Sequence, residues 1–143
     1  MDKKIILAKI DEIDGYLEEL DSLKPIELED YINSIKDKRT CERLLQISIE
    51  SVLDICNVLI TELKLGLPAD EEAVFDKLKD KGIITKGMAV ILKETKGFRN
   101  ILVHKYGIVD NELVFENLSN LQDFDKFKEE ILNFLKNYSN NKK

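Results

Sequence analysis

Between Thr40 and Leu65 the chain reads TCERLLQISIESVLDICNVLITELKL, a stretch that is apolar on most sides of a helical wheel and broken by one narrow polar stripe. Arg39, Arg43, Gln46, Glu50, Asp54, Asn57 and Thr61 fall within about 80° of one another at about 100° per residue. A helix that is apolar around most of its circumference has to be surrounded by other elements, so this one is central. Its polar stripe then needs a purpose, because polar groups resist burial without partners. Gly66, Leu67 and Pro68 supply the chemistry that closes such a helix.

The rest of the chain follows the same period. Apolar residues recur at helical spacing almost throughout, Gly and Pro are scarce, and no alternating pattern lasts beyond a few residues. An all-α chain is expected. A first helix runs from about Asp2 to Ser22, with Ile6, Ile10, Ile13, Leu17 and Leu20 as its stripe, and Ser22 to Pro25 ends it. The segment from about Ile26 to Asp37 is either a separate short helix or leads directly into the central one. A short acidic helix from about Asp70 to Lys79 stops at Lys81-Gly82, another helix covers about Thr85 to Lys105, and a last one covers about Leu118 to Asn137. Short connections between these elements imply a four- or five-helix bundle. At 143 residues one domain is expected, a helical unit over 1–138 with a frayed polar tail over 139–143.

Composition narrows the function classes. Hydrophobic residues at 43% and charged residues at 35% describe a folded, soluble chain rather than a disordered one. No apolar run is read as long enough to span a bilayer, and acids interrupt the opening MDKKIILAKIDEIDGYL where a signal peptide stays apolar, so a cytoplasmic location without a membrane is expected. Cys41 and Cys56 on one helix lie roughly 22 Å apart at about 1.5 Å per residue, too far to pair within the chain. With one histidine and two separated cysteines, neither a metal site nor a bound cofactor is expected. A net charge of −6 argues against coating nucleic acid through overall charge. Any such contact has to be local, and Ile84 to Gly107 is where the balance reverses: Lys86, Lys93, Lys96, Arg99 and Lys105 face only Glu94.

That basic segment ends in RNILVHKYG, Arg99 to Gly107, which holds the single histidine of the chain. With Met88 at zero on the wheel, Leu92, Thr95, Arg99 and Leu102 lie within about 40°. Arg99 therefore points toward the apolar side and must find a carboxylate, a carbonyl or an anionic ligand, with Glu50 and Asp54 of the central helix as candidate partners. Lys93, Gly97, Asn100 and His104 form a second line away from the core stripe. Glycine inside a helix costs about 1 kcal/mol against alanine, so Gly97 suggests close approach by another backbone or a ligand. Arg99 and His104 are about 140° apart on a regular helix. Either the helix end loosens, or two chains combine.

Taken together, RNILVHKY resembles the R-N-x-x-x-H-x-Y signature of HepT-type toxins of the HEPN superfamily, with Arg99, Asn100, His104 and Tyr106 at the four fixed positions, and the surrounding LVHKYGIVD is similar as well. The resemblance covers essentially the whole chain. It implies a helical HEPN fold, a homodimer whose motif helices face one another, and a composite, metal-independent endoribonuclease site. Arg99 would hold the scissile phosphate, His104 would act as acid or base, and Asn100 would orient phosphate or imidazole. Tyr106 would accept AMP from a minimal nucleotidyltransferase antitoxin of MntA type, which would switch the site off. A second expectation keeps the fold and drops the catalysis: a helical subunit that positions substrates for the nucleotidyltransferase.

Overall fold

The computed structural model describes residues 1–103 and 110–141. Among them the chain is helical without strands: α1 (Lys3–Leu23), α2 (Leu28–Ile32), α3 (Ile35–Glu62), α4 (Glu71–Asp80), α5 (Lys86–Val103), α6 (Asn111–Leu118) and α7 (Gln122–Asn141). The long helices are those that the apolar periodicity implies. The short ones refine the expected bundle: α2 is separate from α3, α6 was not anticipated, and α7 continues past Asn137 into the expected tail.

Local chemistry sets the boundaries. Asp2, Ser34, Asp70 and Asp110 each accept a hydrogen bond from a backbone N–H in the first turn of the helix that follows, satisfying donors that would otherwise be orphaned. At the far end of α4, Gly82 takes φ +72° while Ile83 N–H donates to the Leu78 carbonyl, a closing turn that other residues adopt only with strain. The start of α5 is held from another helix. Glu130 of α7 accepts from the backbone N–H of Thr85 at 2.7 Å and from its hydroxyl at 3.1 Å, while that hydroxyl accepts from Met88 N–H.

α3 is the axis. Ser51, Leu44, Ile55, Leu45, Ile60 and Leu53 are buried on it across more than half of its circumference, so more than one of its faces is covered at once. α1 lies antiparallel beside it, with Lys9 reaching Asp54 at 3.4 Å. α7 runs antiparallel to α1, tied by Lys128 to Asp14 at 2.9 Å and by Lys3 Nζ to the Leu135 carbonyl, and sends Phe127 and Ile131 into the core. Contrary to the expectation from sequence, α3 is long and apolar enough to cross a membrane by length and composition; 61% of that stretch is buried inside the chain, as the core helix of a bundle is. Its polar stripe faces outward: Arg39, Arg43, Asp54, Asn57 and Thr61 are exposed, and Gln46 and Glu50 are half-buried.

The two cysteines report on this core. Both are free and buried, and burial pushes the Cys41 thiol up to about 11 and the Cys56 thiol up to about 12 from an ordinary 9.0. The folded chain holds these protons where the unfolded chain releases them, so their contribution to stability is intact below pH 9 and declines as pH rises toward those values. A disulfide reagent at neutral pH should therefore label neither thiol until denaturant unfolds the chain, and the denaturation midpoint should fall above pH 9. Rapid labelling of both thiols in native buffer would contradict this packing.

Candidate active site

α5 carries two distinct faces. Met88, Ala89, Leu92, Phe98 and Leu102 are buried against the bundle. Opposite them, Val90 (51% exposed), Glu94, Gly97 and Ile101 (45% exposed) make an open line at i, i+4, i+7 and i+11. A Cβ built on Gly97 meets nothing within 4 Å, so the packing of this chain does not itself require glycine there. Asn100 is half-buried between the two faces.

Along one edge of α5, Lys93, Lys96 and Arg99 form an i, i+3, i+6 ridge, and α4 lies antiparallel to it. Asp76 takes Lys93 at 2.9 Å, Glu72 takes Lys96 at 3.2 Å, and Glu71 takes Arg99 at 2.7 Å. The hydrogen bond from Lys93 is the main cause that holds the Asp76 carboxyl below its ordinary range, and the same bond raises Lys93 above its own. Three of the five basic residues read in that segment are thus matched, rung by rung, by the acidic helix that precedes it.

Arg99 forms one end of this ladder. Its side chain is only 19% exposed, and its Nη2 donates to both carboxylate oxygens of Glu71, at 2.8 and 2.7 Å. Its Nε is buried without a hydrogen-bond partner. The need for a carboxylate was legible; the expected partners were not the ones used. Glu50 accepts from Gln46 and Asp54 pairs with Lys9, both along the outer stripe of α3, while the flank of α5 that bears Arg99 faces α4. Sequence reading missed Glu71, although the acids at positions 71, 72 and 76 complement the basic ridge in antiparallel order. It also missed Glu42, a buried carboxylate on α3 that accepts from Arg39 Nη1 at 2.9 Å. His104 and Tyr106 lie outside the described residues. Among the described residues, no group of three or more His, Cys, Asp or Glu side chains is placed to hold a metal ion.

Residues 13–131, which include α5 and all four positions of the motif, match the family model for ribonuclease HepT-like proteins. The chain belongs to the ribonuclease HepT-like family. Among its HepT relatives, the tRNA nuclease HepT of Aphanizomenon flos-aquae is 31% identical over 132 residues, 92% of this chain and 90% of the relative. The mRNA nuclease HepT of Shewanella oneidensis is 32% identical over 84 residues, 58% of this chain and 63% of the relative. A solved structure of the tri-AMPylated Shewanella oneidensis HEPN toxin in complex with MNT antitoxin superimposes with a TM-score of 0.82 at 26% identity, covering 92% of this chain and 98% of that one. The fold of that toxin is therefore shared over 92% of this chain.

Proposed function

We propose that this chain is the toxin ribonuclease of a toxin-antitoxin pair, cutting RNA in the cytoplasm without a metal ion, and that a minimal nucleotidyltransferase antitoxin neutralises it by transferring AMP to Tyr106. The observation that carries this reading is the family match across residues 13–131, which contains Arg99, Asn100, His104 and Tyr106 in an unbroken motif. Relatives named as HepT nucleases and a solved AMPylated toxin bound to its MNT antitoxin support it. Those relatives are named for tRNA and for mRNA, so the substrate of this chain is RNA of a kind left open.

In this mechanism a ribose 2′-hydroxyl attacks the adjacent phosphorus, the bond to the 5′ oxygen breaks, and the products are a 2′,3′-cyclic phosphate and a 5′-hydroxyl end. His104 takes the hydroxyl proton or delivers one to the leaving oxygen, and Arg99 stabilises the charge that builds on the non-bridging oxygens. Asn100 orients the phosphate or the imidazole. DNA, which lacks the 2′-hydroxyl, is left intact. For the divergent aim of Arg99 and His104 we invoke a homodimer in which two α5 helices meet through the open line at Gly97, where a neighbouring backbone has room to approach, and the two motifs come side by side.

Arg99→Ala and His104→Ala should each lower RNA cleavage by at least about a hundredfold while leaving the helical circular-dichroism spectrum and thermal midpoint nearly unchanged, and EDTA should leave the wild-type rate unaltered. RNA degraded equally well by both variants would remove these residues from the mechanism. A pure wild-type chain with unmodified Tyr106 that cuts nothing would favour the substrate-positioning subunit instead.

Regulation is tested at Tyr106. An adenylyl group there adds bulk and negative charge two residues from His104, which opposes an incoming phosphate. Coexpression with the antitoxin should add about 329 Da or multiples of it, the mass of attached AMP units, mapped to Tyr106. Tyr106→Phe should keep much of its activity and resist neutralisation. A neutralised complex with unmodified Tyr106 would point to simple masking of the cleft.

A further inference from the structure

In the free chain the arginine assigned to phosphate is already occupied. One terminal nitrogen of Arg99 straddles both oxygens of the Glu71 carboxylate, at 2.8 and 2.7 Å. Two oxygens sharing one negative charge are also what a phosphodiester offers through its non-bridging atoms, so the carboxylate and the scissile phosphate compete for the same donors. Glu71 is well held for this role. It sits in the first turn of α4, where the helix dipole favours an anion, beside the Asp70 cap. The Glu72–Lys96 and Asp76–Lys93 pairs keep α4 against α5 whether or not Arg99 is engaged.

Two features make the contact exchangeable rather than a permanent lock. The Arg99 Nε is buried with no partner, so Glu71 leaves a donor of the same guanidinium unspent, an arrangement that costs stability in the resting state. The pair is also open on the carboxylate side, with Glu71 47% exposed against 19% for Arg99, so Glu71 can swing into solvent without first leaving a packed site.

We propose that Glu71 is an internal substitute for the RNA phosphate, occupying Arg99 in the free protein and displaced when the scissile phosphate arrives. This rests on the ribonuclease reading of Arg99 and adds a specificity-determining residue to it. Glu71 sets how tightly RNA must bind to claim the arginine, and leaves the bond-breaking step itself unchanged. An isolated anion with few additional contacts does not displace it; a polynucleotide held at several points does. A residue that merely aimed Arg99 would act in the opposite direction, since its loss would disorder the guanidinium and slow the reaction.

The test compares the full chain with unmodified Tyr106 as wild type, Glu71→Gln and Glu72→Gln, using initial rates on one looped RNA over a range of concentrations. Glu71→Gln keeps shape and removes the charge, and KM should fall about fivefold, the size expected for freeing a partly exposed pair, with kcat within about twofold of wild type. Glu72→Gln makes the same charge change one residue away on a lysine rung, and should lower KM by less than half as much on a logarithmic scale. In an Arg99→Ala background, where rates are lost, anisotropy with the same RNA should show no tightening from Glu71→Gln. Unchanged or raised KM, a fall in kcat, equal effects of the two glutamine variants, or tightening that survives without Arg99 would each overturn the proposal. If the wild-type chain cuts no RNA, the ribonuclease reading fails separately. Anisotropy in the Arg99-intact background then decides the competition, with Glu71→Gln required to bind about fivefold tighter.

Discussion

Burial of α3 over more than half of its circumference dictates where the other helices can lie. Leu45, Ile49, Ile55 and Leu59 are all removed from water, so every neighbour has to give an apolar face to that axis. α1 does so with Ile6, Ile10, Ile13 and Leu20, and α5 with Met88, Ala89, Leu92, Phe98 and Leu102. Once α5 is rolled to bury those residues, its remaining directions are no longer free. One edge, carrying Lys93, Lys96 and Arg99, meets α4, and the line through Gly97 faces outward. The orientation of the motif arginine is thus a consequence of hydrophobic packing several turns away, as is the exposure of the surface through which a second copy is proposed to approach.

Charge is distributed on the same logic. An acidic chain that handles RNA needs its positive charge concentrated where the phosphate arrives, yet a concentrated basic ridge with no partners would repel itself. α4 answers with Glu71, Glu72 and Asp76 opposite that ridge. Two of these rungs bind lysines and serve to hold the helices together; the third binds the residue assigned to the chemistry. A structural ladder and the proposed substrate site therefore share one helix edge, and the balance between them lies in a single pair at 2.7 Å.

Much of the fold was legible because capping residues and apolar stripes are local signals. Asp2, Asp70 and Gly82 mark ends of α1 and α4 close to where sequence places them. α6 was missed because eight residues provide little more than two turns of periodicity, and the expected start of the last helix, Leu118, proves to be the end of α6. The Asp110 cap was the available signal. The site divides in the same way. That Arg99 sits on an inward flank and needs an acid follows from the wheel, but periodicity defines a face without naming the helix that covers it, and so it points to Glu50 and Asp54 where Glu71 serves. His104 and Tyr106 were singled out by the motif and not by packing, since nothing in hydrophobic spacing distinguishes a catalytic histidine or an acceptor tyrosine from an ordinary helix end.

The central claim is that one reaction site combines Arg99 of one copy with His104 of another. Coexpressing Arg99→Ala and His104→Ala chains tests it most directly, because each mixed dimer then contains one site with both groups intact and one with neither. Random pairing makes half of the dimers mixed, so the account predicts that the coexpressed pair regains about a quarter of the wild-type cleavage rate although each parent is inactive. A coexpressed pair as inactive as either parent, with mixed dimers verified by mass spectrometry, would contradict it.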